Sequence, residues 1–297
     1  MSEGDGQPGA MTRRRFLAGT AGLGIPAILS PSAWGGEDRA VFTFGLTPVF
    51  LDSDVQLLKS LKRYLQERMR RPVVLVKKRT YQEITSMLLS GQLDAAWICG
   101  YPFVRYRSRL SLVSLPVYNG KPLYQSYLIV NERHDARSVA DLRGDIHAFS
   151  DPDSNSGFLV TRALLARMGE RPETFFSRFF YTYGHRNVIR AVASGLARSG
   201  SVDGYVWDVM RDIDPALTAR TRVIRKSRWY GFPPIACRRE LSQASVIADL
   251  RAALFSMNED PLGREILASL RLDGFAPGRT ALFDGIARLV DTVRDQV

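Results

Sequence analysis

The feature that most limits the fold is a regular exchange of two hydrophobic periods between Val41 and Cys99. Val41 to Leu46 reads as a strand, and Val55 to Met69 as an amphipathic helix with Leu57, Leu58, Leu61 and Leu65 on its inner stripe. Val73 to Val76 is a second strand, Tyr81 to Leu89 a helix closed by Ser90-Gly91, and Ala95 to Cys99 a third strand. Strands separated by helices at this spacing pair in parallel through crossover connections, which predicts an α/β chain.

After Gly100-Tyr101-Pro102 the rhythm changes. Leu112 to Val117 and Leu123 to Val130 flank Asn119-Gly120, the turn signal of a hairpin. Alternation then resumes: strand Ile146 to Phe149, helix Gly157 to Met168, extended Phe179 to Tyr183, helix His185 to Ala197 and strand Val202 to Trp207. Val223-Ile224 and Gly231 to Cys237 read as extended, followed by helices Ser245 to Met257, Pro261 to Leu270 and Thr280 to Gln296. The pattern predicts two α/β lobes, one from residues 40–125 and 230–297, the other from 131–225. Their two crossings, near Ser126 to Asn131 and Arg225 to Tyr230, form a natural hinge. Ligands of open α/β sheets sit at the carboxyl ends of strands, so the cleft between lobes is the expected site.

The N-terminus reads as a targeting segment. Thr12-Arg13-Arg14-Arg15-Phe16-Leu17 has a twin-arginine pattern, followed by a mild apolar run to Leu29. That run is too short and too rich in glycine to anchor in a membrane. Ala33-Trp34-Gly35 supplies small residues for cleavage, so residues 1–35 are assigned to a signal peptide of a protein exported folded to the periplasm. Nucleic acid is thereby an unsuitable partner. The formal charge of +11 is nearly all carried downstream, since Arg13, Arg14 and Arg15 stand against Glu3 and Asp5. Such a basic surface steers anionic solutes or simply serves solubility. Two cysteines, Cys99 and Cys237, do not make a disulfide scaffold; one bridge, two buried thiols or one ligand thiol all fit.

The most informative stretch is Asp151-Pro152-Asp153-Ser154-Asn155-Ser156-Gly157, which leads from a strand into a helix. The first turn of a helix has unpaired N–H groups and a partial positive charge. Ser and Asn there serve either as plain caps or as donors to an oxyanion, and Gly157 permits close approach to the backbone.

In order along the chain, several segments resemble the phosphonate, phosphite and phosphate solute-binding proteins of ABC importers. Gly91-Gln92-Leu93-Asp94-Ala95-Ala96-Trp97 leading into Gly100-Tyr101 is similar to the family's Gly-x-x-Asp-Ala segment. Tyr124 to Val130 resembles its first crossover strand. Ser138 to Gly144 with Phe149 to Gly157 resembles its Asp-Leu-Lys-Gly and Ser-x-Ser-Gly block, the most specific part. Gly184-His185 and Val202-Asp203-Gly204 resemble later segments, and the likeness covers most of 40–240. The resemblance implies a two-lobe type II periplasmic-binding-protein fold with mixed, mostly parallel sheets and a two-strand hinge. It implies ligand contacts from Ser154, Asn155, Ser156, Gly157 and His185, with Tyr101, Tyr124 and Ser126 from the other side. Asp203 resembles an acidic position that pairs with a ligand amine, or is a strand-end carboxylate bonded locally. The family often has an aromatic hydroxyl after the first strand; here that loop is Leu46 to Phe50, and Thr47 is the hydroxyl nearest the strand.

Two function classes follow. The leading expectation is a monomeric receptor that captures a small oxyanion for an ABC permease. The alternative is an oxyanion or arsenite sensor that signals to a membrane histidine kinase, with Cys99 as ligand thiol rather than packing. An enzyme would need an activated nucleophile or an acid–base pair, and only Cys99 with His185 offers candidates, on opposite lobes. With three histidines in all, no metal-ligand spacing and no cofactor motif is present.

Overall fold

The computed structural model describes residues 41–48 and 55–294. The proposed signal segment, residues 49–54 and the last three residues lie outside the described residues.

The chain runs β1 (Phe42–Leu46), α1 (Val55–Met69), β2 (Val73–Lys77), α2 (Tyr81–Leu89), β3 (Ala95–Trp97), α3 (Gly100–Arg105) and β4 (Leu110–Val117). It continues through β5 (Leu123–Tyr124), β6 (Ser126–Asn131), β7 (Ile146–Phe149), α4 (Val160–Ala166), α5 (Pro172–Phe175), β8 (Arg178–Tyr181) and α6 (His185–Ala193). Then follow β9 (Ser199–Asp203), α7 (Gly204–Ile213), α8 (Pro215–Ala219), β10 (Thr221–Lys226), β11 (Tyr230–Gly231) and β12 (Ile235–Arg238). Helices α9 (Ser245–Phe255) and α10 (Pro261–Leu270), strand β13 (Gly274–Ala276) and helix α11 (Asp284–Arg294) complete it.

Two main sheets result. One has six strands in the order β13-β4-β12-β3-β1-β2, the other five in the order β10-β6-β9-β7-β8. The predicted parallel unit is present, since β1 pairs in parallel with both β2 and β3. Asp94 pins that unit: its carboxylate accepts from Thr43 N at 2.7 Å and Thr43 Oγ1 at 2.8 Å. A two-stranded ribbon of β5 and β11 lies where the chain passes from one sheet to the other. The passages are stitched together, because Ser227 N donates to Ser126 O and Ser126 N to Ser227 Oγ.

Three expectations are corrected. The Asn119-Gly120 turn forms, with both residues at positive φ, but it closes only the Tyr118–Lys121 bridge. Its flanks do not pair as a hairpin: β4 sits between β12 and β13, and β5 turns away to β11. Asp273 explains the escape, since its carboxylate accepts from Gly120 N and fixes the turn to the strand β13 edge. Second, the strand expected over Val202 to Trp207 ends at Asp203, which caps α7 by accepting from Tyr205 N. Third, the tail helix begins with a 3-10 turn over Thr280–Phe283, and α6 stops at Ala193 rather than Ala197.

Candidate functional site

Strand β7 ends at Phe149, and the chain then makes an unusual helix start. Ser154 N donates to Asp151 O at 3.0 Å, and Ser154 Oγ accepts from Gly157 N at 3.0 Å. Leu159 N reaches back five residues to Ser154 O, and Val160 N to Asn155 O, so Asn155–Leu159 is a π-turn opening into α4. Such widened turns are rare and concentrate at functional sites. Gly157 is required by packing: a Cβ there would lie 1.8 Å from Ser150 Oγ. Ser154, Asn155, Ser156 and Gly157 are all buried.

Residues that follow β2 and β3, and one from β5, meet this turn. Asn155 N donates to Cys99 Sγ at 3.2 Å, and Asn155 Nδ2 to Tyr124 Oη at 2.8 Å. Tyr81, the first residue of α2, bonds Asp151 Oδ2 through its backbone N and His185 Nε2 through its hydroxyl. Tyr101 sits half-buried in the first turn of α3.

The bonds fix where the protons point. His185 Nδ1 accepts the backbone N–H of Asp203 at 3.1 Å, and burial pushes the ring's pKa down to about 3. A neutral ring accepting at Nδ1 carries its hydrogen on Nε2, so Tyr81 Oη accepts from it and keeps its own hydrogen for another partner. Burial also holds Tyr81 and Tyr124 as neutral hydroxyls, well above the usual phenol range. Two expected donors are already engaged. Ser126 Oγ donates to Ser156 O at 2.6 Å, and Thr47 Oγ1 donates to Trp97 O at 3.0 Å. Among the described residues, Ser150 Oγ and Asn155 Oδ1 are buried without a partner, both beside the turn.

Charge is distributed unexpectedly for an anion site. Among the described residues no Lys or Arg is buried, whereas Asp151 and Asp203 are each 1% exposed. Burial raises both carboxyls, that of Asp203 to about 8. The Cys99 thiol is pushed up to about 12 for the same reason, so it is a thiol and not a thiolate. What remains is an array of N–H and O–H donors in a low dielectric, which can hold an oxyanion without a cationic clamp. The described residues contain no cluster that could hold a metal ion.

The structure thus gathers Cys99, Tyr124, Ser126, Ser154 to Gly157, His185 and Asp203 into one buried cluster; Tyr101 lies in the first turn of α3, just after Cys99, and Thr47 follows β1 and is bonded to Trp97 O. Sequence reasoning missed Tyr81, Ser150 and Asp151 as members. Tyr81 had one signal: it follows Thr80, whose capping box with Glu83 marks a helix start.

A family described as the periplasmic substrate-binding proteins of phosphonate ABC transporters matches residues 44–283, so the chain belongs to that family. It is a family of transport receptors, not enzymes, and it is periplasmic. Solved structures agree on the two-lobe periplasmic-binding fold. A binding-protein component of an ABC phosphonate transporter from Pseudomonas aeruginosa superposes with a TM-score of 0.78 at 20% identity, over 86% of this chain and 87% of that one. PhnD1 from Prochlorococcus marinus, in complex with methylphosphonate, gives 0.77 at 15% identity, over 86% and 99%. A Xanthomonas citri protein bound to a chloride ion gives 0.71 at 20%, over 86% and 99%.

Proposed function

We propose that this member of the phosphonate-transporter binding proteins captures a small phosphonate-type oxyanion at the Ser154–Gly157 turn and delivers it to an ABC permease. The observation that carries the reading is the π-turn itself, a buried helix start rimmed by hydroxyls and free of buried cations. In this reading Ser154, Asn155, Ser156, Gly157, Tyr81, Tyr101 and Tyr124 surround the anion. Ser126, Thr47 and His185 act as supports, because the two hydroxyl hydrogens already serve backbone carbonyls and the His185 ring hydrogen serves Tyr81 Oη.

In this reading the chain has two lobes, 40–125 with 230–297 and 131–225, which close about the paired passages at Ser126 and Ser227; the division of the strands into two main sheets supports it. The chain works as a monomer and reaches the periplasm by the twin-arginine route. The sensor alternative draws no support from Cys99, whose buried, protonated sulfur is an acceptor for Asn155 N–H.

Isothermal titration of the mature chain with methylphosphonate, phosphite, phosphate and sulfate tests the reading. A phosphonate or phosphite binding tightest is expected; saturable binding of none of the four overturns it. Small-angle scattering tests closure, with a smaller radius of gyration at saturation expected.

A further inference from the structure

A buried carboxylate inside an anion site poses a charge problem that the proposed function leaves unsolved. Asp203 ends β9 directly beside the π-turn. One oxygen accepts from Tyr205 N at 2.9 Å, and the carboxyl also meets the N–H of Val206 and the side chain of Ser156. Titratable groups from several elements face it. From α6 comes His185, neutral and bonded to the Asp203 backbone. From its own helix α7 come Tyr205 and the carboxyl of Asp208, which repels it. Tyr81 of α2, Cys99 before α3, Tyr124 of β5 and Tyr127 of β6 all feel its charge. Not one of these is a cation.

An oxyanion entering this cluster would place two uncompensated negative charges in a low dielectric, which is prohibitively unfavourable. Only a cation on the ligand or a proton can remove the conflict. Tyr205, Val206 and Ser156 donate to the Asp203 carboxyl and leave little of its acceptor capacity open, enough for one shared hydrogen but not for the several donors of an ammonium. We infer that a simple phosphonate is bound together with one proton shared between a ligand oxygen and the Asp203 carboxyl, so that capture is coupled to proton uptake. This rests on the oxyanion reading of the site. It names the ligand class as oxyanions without a required positive group. It also sets the direction of the pH dependence, with affinity falling as pH rises through the mildly alkaline range. The balance is simple: on binding at alkaline pH the proton comes from solvent, and on release it returns there. Burial, which holds the Asp203 pKa near 8 before any ligand arrives, places the change in the mildly alkaline range.

The test is calorimetry with methylphosphonate at pH 9 and pH 6, in buffers of different ionisation enthalpy, on the mature protein and Asp203→Asn. Asparagine keeps the helix cap, so the variant should fold. At pH 9 the wild type should take up about one proton more per ligand than the variant, and at pH 6 the two should agree. Above pH 8 wild-type affinity should fall about tenfold per pH unit relative to Asp203→Asn. Should the variant not fold, that alkaline loss in the wild type alone, beyond the ligand's own titration, decides the matter. Equal uptake, or parallel pH profiles, overturns the proton coupling and leaves the binding reading intact. No binding of methylphosphonate by either protein at either pH overturns both.

Discussion

Strand β9 supports two buried polar networks that end in opposite conditions. Near its start, His147 bonds Ser199 Oγ at 2.8 Å and Ser201 Oγ at 2.9 Å, and Ser201 passes the chain to Thr161 at 2.6 Å. The His147 ring stacks on Phe176 with centroids 4.3 Å apart, so its polar atoms are paired and its faces packed. At the other end of β9, His185 and Asp203 join Tyr81 and the π-turn, where Ser150 and Asn155 keep unpaired buried oxygens. A satisfied network gives a rigid core; a half-satisfied one is costly unless something else completes it. Two histidine-centred networks at opposite ends of one short strand, Ser199 to Asp203, therefore differ in whether the fold alone completes them.

The largest expected effect breaks the satisfied network. His147→Ala would leave a ring-sized cavity and strip Ser199 and Ser201 of their partner, costing about 3–5 kcal/mol of stability. Urea denaturation reads that loss, while methylphosphonate affinity at a temperature where the variant is folded should stay within twofold. A large loss of affinity in the folded variant would show that the two networks are one.

The unsatisfied network should respond the other way. Ser154→Ala with Ser156→Ala removes one hydroxyl donor at the proposed anion site and the hydroxyl that holds Asp203 beside it, at about 1–2 kcal/mol of binding each. Stability should fall by only about 1 kcal/mol, because Ser154 also caps the turn through Gly157 N. Wild-type affinity in the double variant, measured by calorimetry, would remove the turn from the site.

Acid sharpens the contrast. His147 and His185 are both held neutral by burial, with pKa values pushed down to about 3. The unfolded chain protonates its histidines near 6.5. Their stabilisation is therefore intact above that pH and is lost as pH falls from about 6.5 toward 3, at up to about 1.4 kcal/mol per pH unit for each. Asp203 has the opposite sign: its raised carboxyl is protonated only in the folded state between about 4 and 8, so it lowers stability as pH rises through that window. Denaturation of His147→Gln between pH 6 and 4 should show a shallower acid slope than the wild type. Identical slopes would mean that His147 is not buried as a neutral ring.

Much of this was legible in the sequence, for local reasons. The parallel unit β1–α1–β2–α2–β3 follows from the hydrophobic periods, and the Ser154–Gly157 turn from its cap chemistry. The Asp141-Leu142-Arg143-Gly144 block also stood out, but its work is structural: Asp141 accepts from Arg137 N and Ser138 N. What stayed hidden depends on pairing at long range. Nothing local told that β4 would leave β5 for β12 and β13. Nor did any spacing show that Tyr81 would meet His185, 104 positions away. The proton accounting was equally invisible, because Thr47 and Ser126 look like free hydroxyls until the carbonyls they serve are known.

The smallest effect belongs to Cys99, which stands where the two kinds of network meet. Its sulfur is buried and accepts from Asn155 N–H, the first residue of the π-turn. It is therefore satisfied like the His147 group, yet it touches the site. With its pKa pushed up to about 12, the thiol has no charge with which to grip a metalloid at neutral pH. Cys99→Ser keeps an acceptor at that position and exchanges a soft, well-packed sulfur for a smaller, better-hydrated oxygen. The expected loss is about 1 kcal/mol of stability, seen as a lower melting temperature, with phosphonate-type affinity changed by less than threefold. Arsenite binding should be absent in both proteins. If the wild type binds arsenite and Cys99→Ser loses it while keeping phosphonate, the sulfur is a ligand. Cys99 would then belong with Ser150 and Asn155, among the groups that the fold leaves for a guest to complete.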